Sequence, residues 1–241
     1  MSGKSEGIMA VFTLIGWISL GIAFLCALVI AIDEIRHPQK MWIMNIVWPV
    51  TALYFSVFGL WGYLSIGRGM TKNAMHGMSQ DRMQQEGKAS RDPTWRQTAV
   101  SDSHCGAGCV IGDIIAEFSL FAFGWTLFGK SLYAEYVGDL LLAWLFGVAF
   151  QYFAITPMRK LSLKQGLIAA VKSDTLSILT FEVGLFAWMA LTFFVFFPQP
   201  HLRPTEAGYW FMMQIGMILG FFTSYPANRW LIKAGWKEAM G

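Results

Sequence analysis

Charge in this chain comes in short knots, and the stretches between them carry almost none. Only 14% of its 241 residues are Asp, Glu, Lys or Arg, while 55% are hydrophobic; soluble domains run to about a quarter charged. A soluble core of this size needs a charged shell around it, and none can be drawn here. Six stretches are apolar over the roughly 20 residues that a helix needs to cross a bilayer: 8–32, 41–65, 106–128, 139–155, 175–197 and 208–232. Closed barrels also satisfy the backbone in lipid, but their strands read as short alternating segments. The expected fold class is therefore an all-α membrane protein, a bundle of six transmembrane helices. It forms one integral membrane domain over 1–241, with a polar cytoplasmic loop at about 67–103.

Basic residues set the expected orientation. Lys4, six residues of the loop between spans two and three (Arg68, Lys72, Arg82, Lys88, Arg91, Arg96), Arg159, Lys160, Lys164, Lys172, Arg229, Lys233 and Lys237 fall on one side. These are fourteen of the eighteen Lys and Arg, and only Arg36, Lys40, Lys130 and Arg203 fall on the other. Cytoplasmic loops carry the excess of Lys and Arg, so both termini are expected in the cytoplasm. The first span ends at Asp33 and Glu34 with no small-residue cleavage site, and it reads as a retained helix. Three cysteines placed as Cys26, Cys105 and Cys109 argue against a disulfide scaffold. No basic stripe supports nucleic-acid binding.

The stretch that carries chemistry is Ser101-Asp102-Ser103-His104-Cys105-Gly106-Ala107-Gly108-Cys109, continued through Gly112-Asp113-Ile114-Ile115-Ala116-Glu117. Cys105, Cys109, Asp113 and Glu117 follow at four-residue steps, so a helix lines them up as a slowly turning stripe about 18 Å long. Thiolate and imidazole suit Cu(I) and Zn(II) and are poor for Mg(II) or Ca(II). Placing the third helix's amino end here lets His104 turn inward and favours thiolates. His104, Cys105 and Cys109 would suit a two- or three-coordinate Cu(I) site. Zn(II), the alternative, would need Asp113 or a residue from another helix. Gly108, Gly112 and Ala116 form a small-residue ridge beside the stripe, whose expected use is close helix packing.

Buried acids are the second clue. Asp113, Glu117 and Glu182 lie well inside predicted spans, with Gln151 nearer the cytoplasmic face. Charged groups at such depth face one another or a wet cavity, and by default mark a pathway or proton relay. Met70, Met75, His76, Met78 and Met83 in the large loop suggest metal collection, since thioethers bind Cu(I). Ordinary loop methionines are the weightier reading there. Asp174 and Ser177 read as caps of the fifth helix.

The His104–Cys109 motif with Gly112–Glu117 resembles a family of prokaryotic membrane proteins designated only as domain of unknown function 4396. The likeness extends to Lys172-Ser173-Asp174-Thr175-Leu176-Ser177, Phe181-Glu182-Val183-Gly184, Pro226-Ala227-Asn228-Arg229-Trp230 and Gly235-Trp236-Lys237-Glu238-Ala239-Met240. It implies a multi-pass protein of a prokaryotic cytoplasmic (inner) membrane, and it supplies no reaction. From residue chemistry, the expected function is binding and translocation of a soft transition metal, Cu(I) first, with a metal donor or acceptor protein as partner. The alternatives are an enzyme, a membrane thiol-disulfide oxidoreductase, and a non-catalytic subunit. Self-association is left open.

Overall fold

The computed structural model describes residues 2–70, 92–159 and 161–240. Among them are seven α-helices and no strand: α1 (Ser2–Arg36), α2 (Met44–Phe55), α3 (Val57–Ser65), α4 (Trp95–Phe123), α5 (Ser131–Arg159), α6 (Leu163–Leu191) and α7 (Ala207–Lys233). A π-helical turn at Thr192–Phe196 continues α6. Four stretches are long and apolar enough to cross a membrane: Met9–Arg36, Trp95–Phe123, Ser131–Thr156 and Leu163–Phe196. α7 has comparable length but carries Gln214, Ser224 and Asn228 on its buried side. Leu25, Phe58 and Val183 stand more than half exposed, whereas Asp113, Gln151 and Asp174 are wholly buried. That inversion of the soluble pattern is the signature of a bundle built for lipid.

The second expected span is not one helix. At Ser56 the backbone turns to φ +49°, ψ −122°, and α2 stops. Positive φ is rare for residues other than glycine, and it marks a sharp reversal. α3 then folds back along α2. A Cβ on Gly59 would lie 2.8 Å from Ala52 Cα, and the Tyr63 ring meets Trp48 at 5.8 Å between centroids. Both arms therefore start and finish at the same end of the bundle, where α1 also ends: Tyr63 donates to Asp33 at 2.7 Å, and Arg68 reaches the same carboxylate at 3.3 Å. Apolar length alone cannot separate one helix of 25 residues from a hairpin of two shorter ones. Irregular backbone at this depth must be satisfied by protein. Gln214 of α7 does so, donating to the Leu53 carbonyl at 2.6 Å and accepting from Ser19 of α1 at 2.6 Å.

The hairpin also changes where the chain's two ends lie. Phe12 of α1 contacts Phe197 and Phe211, at 5.0 and 5.9 Å between rings, and Gly16 lies against the Ala207 backbone. At the other end Ile30 shares a buried cluster with Met240. The amino-terminal part of α1 and the carboxyl segment are thus at opposite ends of the bundle, an arrangement that does not confirm the expectation of six spans with both termini on one side.

Two helices begin well before their apolar stretches. α4 starts at Trp95 behind a capping box, in which Gln97 N–H donates to Thr94 Oγ1 at 3.3 Å and Thr94 N–H to Gln97 Oε1 at 3.0 Å. α6 starts at Leu163, twelve residues ahead of the expected span. α4 and α5 run antiparallel in close contact along the glycine ridge. A Cβ on Gly108 would stand 2.6 Å from Gly147 Cα, and one on Gly112 would collide with the Ala143 backbone, as expected for small-residue packing.

Candidate functional site

One end of the site, called the inner end for its place beside the carboxyl segment, is built by that segment. After Lys233 the chain turns at Gly235, whose φ of +71° suits glycine, and the N–H groups of Trp236 and Lys237 bond back to the Leu231 carbonyl at 3.0 and 3.2 Å. This helix-ending turn carries Lys237 into the bundle. Its Nζ donates to Asp174 Oδ1 at 2.5 Å, to Asn228 Oδ1 at 2.6 Å and to Ser177 Oγ at 3.5 Å. Burial is the largest single influence and works against the ammonium, but Asp174, Cys105 and Asp102 together outweigh it, and the Lys237 pKa is held above its ordinary value. Asn228 turns its amide nitrogen to Asp102, which also accepts from Ser224 at 2.7 Å. Ser177 in turn donates to Cys105 Sγ at 3.1 Å.

From Cys105 the polar groups continue through the bundle. Cys109 is near Cys105 and Glu182, Asp113 is within electrostatic reach of Glu182 and Glu117, and Glu117 is near Asp139 and Tyr209. Glu135 follows, with His201 as its electrostatic neighbour. The Tyr54 hydroxyl, from the last turn before the hairpin tip, lies by Gly106 and within electrostatic reach of Asp102, Cys105 and Cys109. Along α4 alone, Asp102 to Glu117 covers about 22 Å, most of a hydrocarbon core of about 30 Å. The acids at its centre are under-satisfied: both oxygens of Asp113 and Glu182 and one each of Glu117 and Asp139 have no hydrogen-bond partner. Cys109 stands next to Glu182 without completing such a bond. Buried polar atoms left this way are costly and ask for an explanation.

The expected metal ligands divide. Cys105, Cys109 and Asp113 follow at four-residue steps along α4, with Glu117 one turn further and Glu182 of α6 near Cys109 and Asp113. His104 does not join them. The ring is buried, meets Phe150 of α5 edge to face at 6.1 Å, and has no partner at either nitrogen. Among the described residues no three His, Cys, Asp or Glu side chains form a group that could hold a metal ion. The cause is the early start of α4. His104 lies in its third turn, where consecutive side chains point about 100° apart, so it cannot swing toward Cys105. For the same reason neither thiol is at a helix amino end, where the dipole acts only over the first turn.

Gln151 is buried with both amide atoms unpartnered, and the α4–α5 register brings it level with His104. Met75, His76, Met78 and Met83 lie outside the described residues, and Met70 ends a 3-10 turn. Asp174 and Ser177 are not caps, since both lie in the interior of α6. The structure adds Asp102, Asp139, Asn228, Ser224, Lys237 and Tyr54 to these residues. For Asp102 a signal existed, because it extends the Cys105–Cys109 stripe by one turn.

An apolar exterior around a continuous buried series of acids, thiols and one lysine defines an α-helical membrane protein with a polar interior. Residues 94–237 match the family described as Domain of unknown function (DUF4396), and the chain belongs to that family. The match runs from the residue that caps α4 to the lysine that closes the inner end, while the α2–α3 hairpin and Tyr54 lie outside it. No curated protein and no solved structure matches the chain.

Proposed function

We propose that this protein moves a soft cation, Cu(I) first, through the interior of a prokaryotic cytoplasmic membrane, with the buried acids exchanging protons along the same route. One observation carries the reading: polar side chains follow one another from Lys237 to Glu135 through an otherwise apolar bundle. Cys105 and Cys109 are the soft ligands. Cu(I) is satisfied by two thiolates, whereas Zn(II) asks for four ligands, so the adjacent thiols favour Cu(I). Asp113, Glu117, Asp139 and Glu182 take up positive charge as protons or as the passing cation, the usual role of intramembrane acids.

In this reading α1, α4, α5, α6 and α7 span the membrane, and the α2–α3 hairpin enters from the cytoplasm and returns to it. Charge supports that arrangement. With the end of α1, the large loop, the α5–α6 turn and the carboxyl segment on the cytoplasmic side, fifteen of the eighteen Lys and Arg lie there.

The test is a Cu(I) competition titration on purified protein, followed by uptake into proteoliposomes. Cys105→Ser with Cys109→Ser should abolish tight binding, and Glu182→Gln should keep binding but slow uptake. Unchanged Cu(I) affinity in the double-serine variant ends this reading.

The two free, buried thiols one helical turn apart also support a second function, thiol oxidation. Loss of two protons and two electrons to a quinone would join Cys105 to Cys109, with backbone adjustment because disulfide geometry is restrictive. A reversible two-dalton mass change would support it, and absence of that change removes it.

A further inference from the structure

Two carboxylates and one ammonium meet at the inner end of the column. Asp174 and Asp102 are fully buried, and each keeps one oxygen without a partner. The Asn228 amide and the Ser177 hydroxyl add neutral oxygens. This is a set of hard oxygen donors with more acceptors than one ammonium fills. The ammonium itself arrives on a short tail that ends in buried Met240. Met240 N–H donates to Ser101 Oγ at 3.0 Å, and Ser101 Oγ donates to the Glu238 carbonyl at 3.5 Å. Trp236 sits between the Trp230 ring, 5.6 Å away, and Lys172 Nζ, 4.6 Å away. Gly235, in its left-handed conformation, joins the tail to α7.

We infer that Asp102, Asp174, Asn228 and Ser177 form a binding site for a small monovalent cation at the mouth of the pathway, and that the Lys237 ammonium holds it as a tethered occupant. The inference rests on the transport reading above. An ammonium makes the same demands as a free cation of similar size: a carboxylate, further oxygens and a dry surround. While Lys237 fills the site, its neighbour Cys105 is shut off from the cytoplasm. A cation that binds there displaces Lys237, the tail swings out about Gly235, and the thiols open to that side.

The test is the alkylation rate of Cys105 by N-ethylmaleimide in proteoliposomes, followed by peptide mass mapping. In the wild type, ammonium chloride should accelerate alkylation, and choline chloride at equal ionic strength should not. Lys237→Gln should react at least about tenfold faster, an effect within reach of losing a buried ion pair, and should no longer respond to ammonium. Ser101→Ala, which loosens the tail without touching the site, should shift the rate the same way and decides the matter if Lys237→Gln does not fold. Equal rates in folded variants, or equal responses to ammonium and choline, overturn the inference. Failure of the transport reading is separately visible, as absence of Cu(I) binding in wild type and variants alike.

Discussion

Lys237 and Asp174 meet at 2.5 Å with neither side chain exposed, although 63 residues separate them in the chain. The pair ties the last residues to the middle of α6, and through Asn228 it reaches Asp102 on α4. Removing one member should cost far more than removing both. Asp174→Asn alone is expected to destabilise by about 3–5 kcal/mol, and Asp174→Leu with Lys237→Met to be nearly neutral. Unfolding midpoints in detergent check this, and equal losses in the single and double variants would refute it.

The same pair sets a pH dependence. The folded pKa of Lys237 lies above its ordinary value of 10.5, so its contribution to stability is fully present below that value and is lost as pH rises through the folded pKa. Wild type and the double variant should differ little in melting temperature from neutral pH to about 10.5, and wild type should fall below the double variant above it. A gap that opens near neutrality would contradict the assignment.

His104 is turned away from the thiols, so it should be dispensable to Cu(I). His104→Phe is expected to leave affinity within about threefold, while Cys109→Ser lowers it by about tenfold or more, a difference of about 1.4 kcal/mol. Competition titration decides, and comparable losses would place the imidazole back among the ligands.

Gln214 holds the hairpin tip. Gln214→Leu leaves the Leu53 carbonyl and the Ser19 hydroxyl without this partner, at an expected cost of about 1–3 kcal/mol. Hydrogen exchange around Ser56 should rise before it does in α4 or α5. Unchanged exchange there would mean that the tip does not depend on this contact.

The two ends of the chain should report opposite sides. Fusing alkaline phosphatase or a fluorescent protein to each terminus should give an external signal at the amino end and a cytoplasmic one at the carboxyl end. Reporters on the same side would restore an even number of crossings.

Much of this was legible in the residues alone. The polar stripe from Cys105 to Glu117 and the ridge of Gly108 and Gly112 follow from helical period, a local property that any helix through this segment must express. Helix starts were less legible, because α4 and α6 begin in polar sequence whose side chains turn inward, and hydropathy averaged along a chain cannot see facing. That shortfall put His104 at a helix end and turned Asp174 into a cap.

By itself the sequence determined that this chain is a helical bundle with an apolar exterior, because runs of apolar residues this long leave the backbone no other way to satisfy its hydrogen bonds in lipid. Tertiary structure alone decided that 41–65 doubles back at Ser56, that the imidazole faces α5 while the thiols face α6, and that Lys237 closes the inner end. Each of these depends on contacts between residues far apart in the chain, and no local pattern encodes which distant surface a side chain will meet.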